Sequence, residues 1–591
     1  MRINTPRFFA IISAVLATWF YYQYTHKAQD ANQKVLVTTS TAKLKGMDPA
    51  TASDMYAIRE ISKVYEGLLE YHYLKRPFEL IPNLASEMPT ISEDGLKYTF
   101  TIKQGVKFHD NPCFAKGKGR ELIADDFVYA IKRVADPKVQ SPWFSLLSDK
   151  IQGLDAWRNT CIKNSTTDYT VPLAGVEALD NYTLQFTLSQ PSPQFLYILA
   201  MTFCSVVPEE AVAHYGDEFL NHPVGTGPFT LTAFNPQLNK LVYHKNPTFR
   251  DKRFPSEAAP AYQHMLADAG KKLPFVDKII THIQPEEQPR WLKFQQGQID
   301  IVDISRDNIA LEVVKEGQLM PSLQEKGIQL FSEYEQGVSF IAINCGHKLF
   351  KNNLKLRQAL SLAFDCDRYN TLFHDGTAIS AQSIIPPGLV GYQQTYVNPY
   401  KVHNLTKAKA LLAAAGYPEG KGLPAITLDV TANTNDKQKG EFIQKCLEQL
   451  GISIKVTPNI WPEQIKKIHQ KTTMLHSLSW SADYPDAENF LSLLYQADQK
   501  VGIGANFSDA TYNTLYEKAT VMQPSAARTA LYEQLGQIAA ESVPAIYIVH
   551  QAHPIIYHGW VKNYLFSDFH YGTEQYIDID LEQKEALKKK L

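Results

Sequence analysis

Short runs of alternating apolar and polar residues are interleaved along this chain with longer runs of 3.6-residue periodicity, which limits the fold to a mixed α and β architecture. Leu96 to Ile102 and Tyr182 to Leu188 (YTLQFTL) alternate as half-buried strands do, and Val35 to Thr39 and Val338 to Asn344 (VSFIAIN) also read as strands. Leu356, Ala359, Leu360, Ala363 and Phe364 recur at i, i+3, i+4, i+7 and i+8, one face of a helix. Ser53 to Leu69 reads as a second helix. Ala124 to Val134 is amphipathic, with Asp125 expected as its N-cap, which explains the Asp125/Asp126 pair without catalytic carboxylates. Lys407 to Ala415 is expected to end at Gly416 as the C′ residue, and strand character returns at Ala545 to Val549 after Pro544. No short internal repeat is present, which excludes solenoids and propellers.

With 591 residues the chain exceeds one ordinary core and divides into several domain-sized units. Hydrophobic residues at 44% and charged residues at 20% are those of a globular protein and exclude disorder. A net charge of -2 leaves no polyelectrolyte footprint, so nucleic acid is not an expected partner. Arg2 and Arg7 precede an apolar run from Phe8 to Tyr22 with the charge order of a signal peptide, shorter than the ~20 residues that span a bilayer. Residues 1–30 are therefore expected to direct export as a signal peptide, or to remain as an N-terminal anchor. Six cysteines suit an oxidising compartment. Cys113 and Cys161 lie in polar loops and form a candidate bridge, whereas Cys204 sits in an apolar run and reads as an inert buried thiol.

Enzymatic signatures are missing. The chain has no H-E-x-x-H, G-x-S-x-G or G-x-x-x-x-G-K-[ST], and Ser40 to Lys43 (STAK) lacks the companion motifs of a penicillin-binding nucleophile. His550 and His553 form an H-x-x-H pair with no carboxylate or cysteine close in sequence, so packing is expected before metal ligation. No metal, cofactor or catalysis is expected. Val224 to Phe229 (VGTGPF) has the glycines and proline of a tight turn, and Arg250 to Lys272 reads as a surface insertion.

Several phrases occur in one order over nearly the whole chain: Tyr65 to Leu69 (YEGLL), Tyr98 to Phe108 (YTFTIKQGVKF), Ala124 to Arg133 (ADDFVYAIKR), VGTGPF, Gly297 to Ile301 (GQIDI), Leu356 to Arg368 (LRQALSLAFDCDR), Ala408 to Pro418 (AKALLAAAGYP) and Trp480 to Phe490 (WSADYPDAENF). Together they resemble the family-5 extracytoplasmic solute-binding proteins, the peptide- and nickel-binding receptors of ABC importers. The resemblance implies an α/β, two-lobe periplasmic-binding-protein-like fold (type II, cluster C) with an extra subdomain in lobe I. Lobe I would take residues 34–335, including a subdomain at about 70–204. Lobe II would take 336–540, and 541–591 would return to lobe I, with crossings near Gln336 and Val543. It further implies a periplasmic monomer that delivers peptides to permease subunits in the membrane. Relatives on this scaffold hold nickel chelates, haem or murein peptides instead. The alternative of another class is a secreted peptide or peptidoglycan hydrolase.

By the same resemblance Asp483, in the W-x-x-D position, pairs with the ligand's α-ammonium, flanked by Trp480 and Tyr484 as broad aromatic surfaces. The structural alternative is that Asp483 caps the Asp-Tyr-Pro-Asp turn. Dipeptide-specific relatives carry an Arg that clamps the ligand carboxylate, but the matching stretch Val430 to Asp436 (VTANTND) has no Arg or Lys. This departure favours longer peptides held mainly by their amino end. Arg357 is expected to be structural or solvent-facing.

Overall fold

The computed structural model describes residues 32–235, 239–303, 313–315, 317–495 and 502–591, so the expected leader at 1–30 lies outside the described residues. Among the described residues no helix is long and apolar enough to cross a membrane.

The second half of the chain is organised on a six-stranded sheet in the order Ile379–Ser380, Ala545–His550, Gly337–Ile343, Leu475–Ser481, Ile426–Thr431, Ile454–Asn459. The strand Gly337–Ile343 is buried at every position. Its alternation divides it between two cores. Ile341 and Ile343 pack with the helices Leu354–Ala363, Leu405–Ala414 and Thr434–Glu448, while Val338, Phe340 and Ala342 pack with Ala510–Thr520 and Ala526–Ser542. Arg357 is structural: its guanidinium donates to the carbonyls of Ser542 and Phe350, tying the first helix to the end of the last.

The first half carries a four-stranded sheet in which Val35–Ser40 runs parallel to Lys278–Ile283, followed by Lys240–Lys245 and Phe229–Asn235. A separate antiparallel sheet, Thr90–Ile91, Lys97–Thr101, Thr183–Thr187 and Val176–Asp180, forms a subdomain with the helix Ala124–Ala135. Phrases distant in sequence meet here. Thr226 donates to Glu66 at 3.0 Å, and Gly227 N–H to the Val64 carbonyl at 2.8 Å. A Cβ at Gly225 would stand 2.1 Å from that same carbonyl oxygen, so only glycine permits the approach.

Several local expectations are corrected. The helix expected over Ser53 to Leu69 spans only Met55–Ile61, because the Val64 carbonyl is taken by Gly227 and Leu69–Tyr71 pairs as a strand with Leu80–Pro82. Asp126, not Asp125, closes the start of the helix Ala124–Ala135 by accepting the Ile123 N–H at 2.9 Å, and Arg120 binds the same carboxylate. Arg250 to Lys272 lies at the surface as expected, with Phe254 its one buried residue, but its start is anchored to the lobe. Arg250 pairs with Glu66 and Lys252 with Glu70, each at 2.6 Å, while Phe254 is buried beside Tyr73 and Tyr576. Cys113 and Cys161 are free thiols, as is Cys204, whose burial pushes its pKa up.

The chain passes between the two halves at two points. Ile328–Tyr334 and Ala552–His558 pair in a lobe I sheet, and their continuations Gly337–Ile343 and Ala545–His550 pair in the lobe II sheet. The return falls at Gln551 rather than near Val543, because Ala545–His550 completes the second sheet before the chain leaves it. The Glu335 N–H donates to the Gln551 carbonyl at 2.8 Å, joining the crossings directly.

His553 sits beside this junction, and the fold supplies the carboxylates that its sequence neighbourhood lacks. Its Nδ1 lies 2.9 Å from Glu335, and its Nε2 lies 3.8 Å from Asp303, too long for a hydrogen bond but close enough for an ion pair. Burial opposes the charge, yet the two acids outweigh it and raise the imidazole pKa to about 9. His550 instead is buried against the Gly337 carbonyl, and burial lowers its pKa to about 4. Among the described residues no group of three His, Cys, Asp or Glu side chains is arranged for a metal.

The raised pKa of His553 favours the folded state. That stability is fully present below its unfolded pKa of ~6.5 and is lost as pH rises towards about 9. At ~1.4 kcal/mol per unit the contribution is up to about 3 kcal/mol. Melting curves from pH 6 to 9.5 are therefore expected to fall more steeply for the native protein than for His553→Gln; parallel curves would contradict the pairing.

Candidate functional site

The loop after strand Leu475–Ser481 is held from within. Asn489 is its organiser: its side-chain oxygen accepts the Trp480 indole N–H at 3.0 Å and the Asp483 N–H at 3.1 Å, while its amide N–H donates to Asp483 Oδ2 at 3.1 Å. Beneath it Asp486 is buried, accepting the Glu488 N–H and pairing with Arg528 at 2.9 Å. The turn is therefore closed by Asp486, which leaves the Asp483 carboxylate with the Asn489 amide and no cationic partner among the described residues. Burial raises its pKa from the ordinary value, with the Asn489 hydrogen bond acting in the opposite sense.

Asp483, with Ser481 and Ala482, borders a cavity of about 190 Å³ between the lobes. The facing wall comes from lobe I and is largely apolar, chiefly Met55, Ile58, Trp143, Met201, Phe203 and Tyr571, with Ser53, Tyr71 and Thr202 as its other polar members. Trp143 and Phe203 are stacked, with centroids 5.4 Å apart and planes 6° from parallel. Met55 begins the helix Met55–Ile61, capped by Asp54, whose carboxylate accepts the Ala57 N–H at 2.9 Å. Ile58 lies almost one turn further on, so both reach the same cavity.

The three residues expected at the site have different surroundings. Asp483 borders the cavity and is linked to Trp480 through Asn489. Trp480 packs into the lobe II core and does not line the cavity. Tyr484 is buried outside it: its hydroxyl donates to Glu488 at 2.6 Å, and its ring stacks on Tyr197 of lobe I at 6.1 Å. Tyr484 thus makes a contact across the cleft. The lobe I wall was missed by sequence reasoning, because its residues come from separate segments with no shared motif.

A cleft between two α/β lobes joined by two crossings, with a lone carboxylate facing a largely apolar wall, is the arrangement of a solute receptor. The family pattern described as "Bacterial extracellular solute-binding proteins, family 5 Middle" matches residues 79–502, and the chain belongs to this family. It is 26% identical over 542 residues to the dipeptide-binding protein of Escherichia coli, covering 88% of this chain and 90% of that one. It is 27% identical over 573 residues to heme-binding protein A of Haemophilus influenzae, covering 94% of each. Among solved structures it resembles an ABC transporter-associated periplasmic binding protein of Helicobacter pylori in complex with the peptide STSA. That likeness has a TM-score of 0.71 at 25% identity and covers 93% of this chain and 99% of that chain.

Proposed function

We propose that the protein captures peptides in the periplasm and delivers them to the permease of an ABC importer, acting as a monomer without catalysis. The observation that carries this reading is the Asp483 carboxylate, part-buried at the cavity and lacking a cation of its own among the described residues. A peptide's α-ammonium supplies that charge, and peptide backbone groups find partners on main chain at the cleft edges. Among the described residues no Arg or Lys lines the cavity. In the stretch where dipeptide receptors place an Arg, Asn433 instead caps the helix Thr434–Glu448. Both features support peptides longer than two residues. Closure of the lobes about Glu335–Gln336 and Gln551 would bury the ligand and present both lobes to the permease.

Haem is the second reading, because one of the relatives is a haem-binding protein. Haem carries two propionates of the same charge as Asp483, and no Arg or Lys lines the cavity among the described residues, which favours a ligand with an ammonium group. Native mass spectrometry of exported protein purified without denaturation decides between them. Co-purified peptides of three or more residues are expected; a haem adduct would overturn the peptide reading.

A further inference from the structure

We propose that the cleft selects peptides whose first residue carries a large apolar side chain, seated against Met55, Ile58, Met201 and the stacked Trp143–Phe203 pair. The inference rests on Asp483 holding the amino end. With the α-ammonium at that carboxylate, the first side chain and the first carbonyl both begin two bonds away; the carbonyl and the chain beyond it require hydrogen-bond partners, so the side chain is the group suited to the largely apolar cavity that Asp483 borders.

The chemistry of the walls sets what fits. Among the described residues Asp483 is the only charged one lining the cavity. The polar groups of two aromatic wall residues are already engaged within the protein. The Trp143 indole donates to the Ala52 carbonyl at 2.6 Å, and the Tyr571 hydroxyl to the Asp568 carbonyl at 2.5 Å. These residues therefore turn carbon surface to the ligand. Burying a carbon side chain there is favourable, whereas a second charge would find no counter-ion beyond Asp483, which the ammonium occupies. Met55, at 42% exposure the most open of the large wall residues, and Met201 are unbranched thioethers that adjust to different shapes, so the pocket accepts Leu, Met and Phe alike.

The test is calorimetry on the full chain with tetrapeptides X-Ala-Ala-Ala, where X is Ala, Leu, Met, Phe, Lys or Asp. Leu, Met and Phe are expected to bind at least tenfold tighter than Ala, and Asp weakest. Equal affinity for every X, or tightest binding with Lys or Asp, would overturn the proposal while leaving peptide capture intact. Absence of binding by every peptide would overturn both. Met201→Glu, checked for an unchanged melting temperature, is expected to shift preference at least tenfold from Leu-first towards Lys-first peptides; an unaltered ranking would place the first side chain elsewhere and refute the assignment.

Discussion

Asp483→Ala is expected to weaken binding of a peptide with a free amino end at least tenfold, about 1.4 kcal/mol, without lowering the melting temperature of the ligand-free protein. Both parts follow from one carboxylate. In the free protein burial disfavours its charge and raises its pKa, so at neutral pH the ionised group opposes folding, a cost that appears as pH rises through that pKa. Ligand ammonium removes the cost by pairing with the ionised form. Affinity is therefore expected to decline as pH falls through the raised pKa of Asp483, and this dependence should vanish in the variant. Titration calorimetry at several pH values, with thermal melts of the ligand-free proteins, measures each part. Unchanged affinity in Asp483→Ala would end the role assigned to this residue.

Arg528→Met is expected to cost about 3–5 kcal/mol of stability, because it leaves the Asp486 carboxylate buried without its cation. Arg528 and Asp486 are both nearly inaccessible, and their contact at 2.9 Å lies under the loop that carries Asp483. The loop would loosen along with the core, so ligand affinity should fall as well. Pairing the change with Asp486→Leu removes the stranded charge and should restore much of the stability, though not the capped turn at Glu488. Denaturant unfolding of the native, single and double variants checks the cycle. A single variant as stable as the native protein would show that the ion pair contributes nothing to holding the loop.

The elements legible in the sequence were those fixed by local periodicity. Val338 to Asn344 and Leu356 to Phe364 emerge as a strand and a helix because their apolar residues have to face a core. The departures lie where a distant group decides. Nothing near Val64 signals that Gly227 will take its carbonyl and end the helix, and nothing near Asp126 signals Arg120 across its carboxylate. The second crossing was displaced for a similar reason: whether Ala545–His550 joins one sheet or the other depends on its neighbour Gly337–Ile343, two hundred residues away. The phrase Trp480 to Phe490 singles out Asp483, and the structure places that residue at the edge of the cavity. The facing wall of Met55, Trp143, Met201 and Phe203 had no such phrase, and its composition is visible only once the lobes face each other.

If the cleft holds a peptide by its free amino end at Asp483, blocking that end abolishes the pairing. Titration of one tetrapeptide, Leu-Ala-Ala-Ala, against the native protein in its free and N-acetylated forms tests this most directly, since acetylation removes the charge and keeps the rest of the ligand. The acetylated peptide is expected to bind at least tenfold more weakly, and Asp483→Ala to bind the two alike. Equal affinity of both forms for the native protein would contradict that pairing.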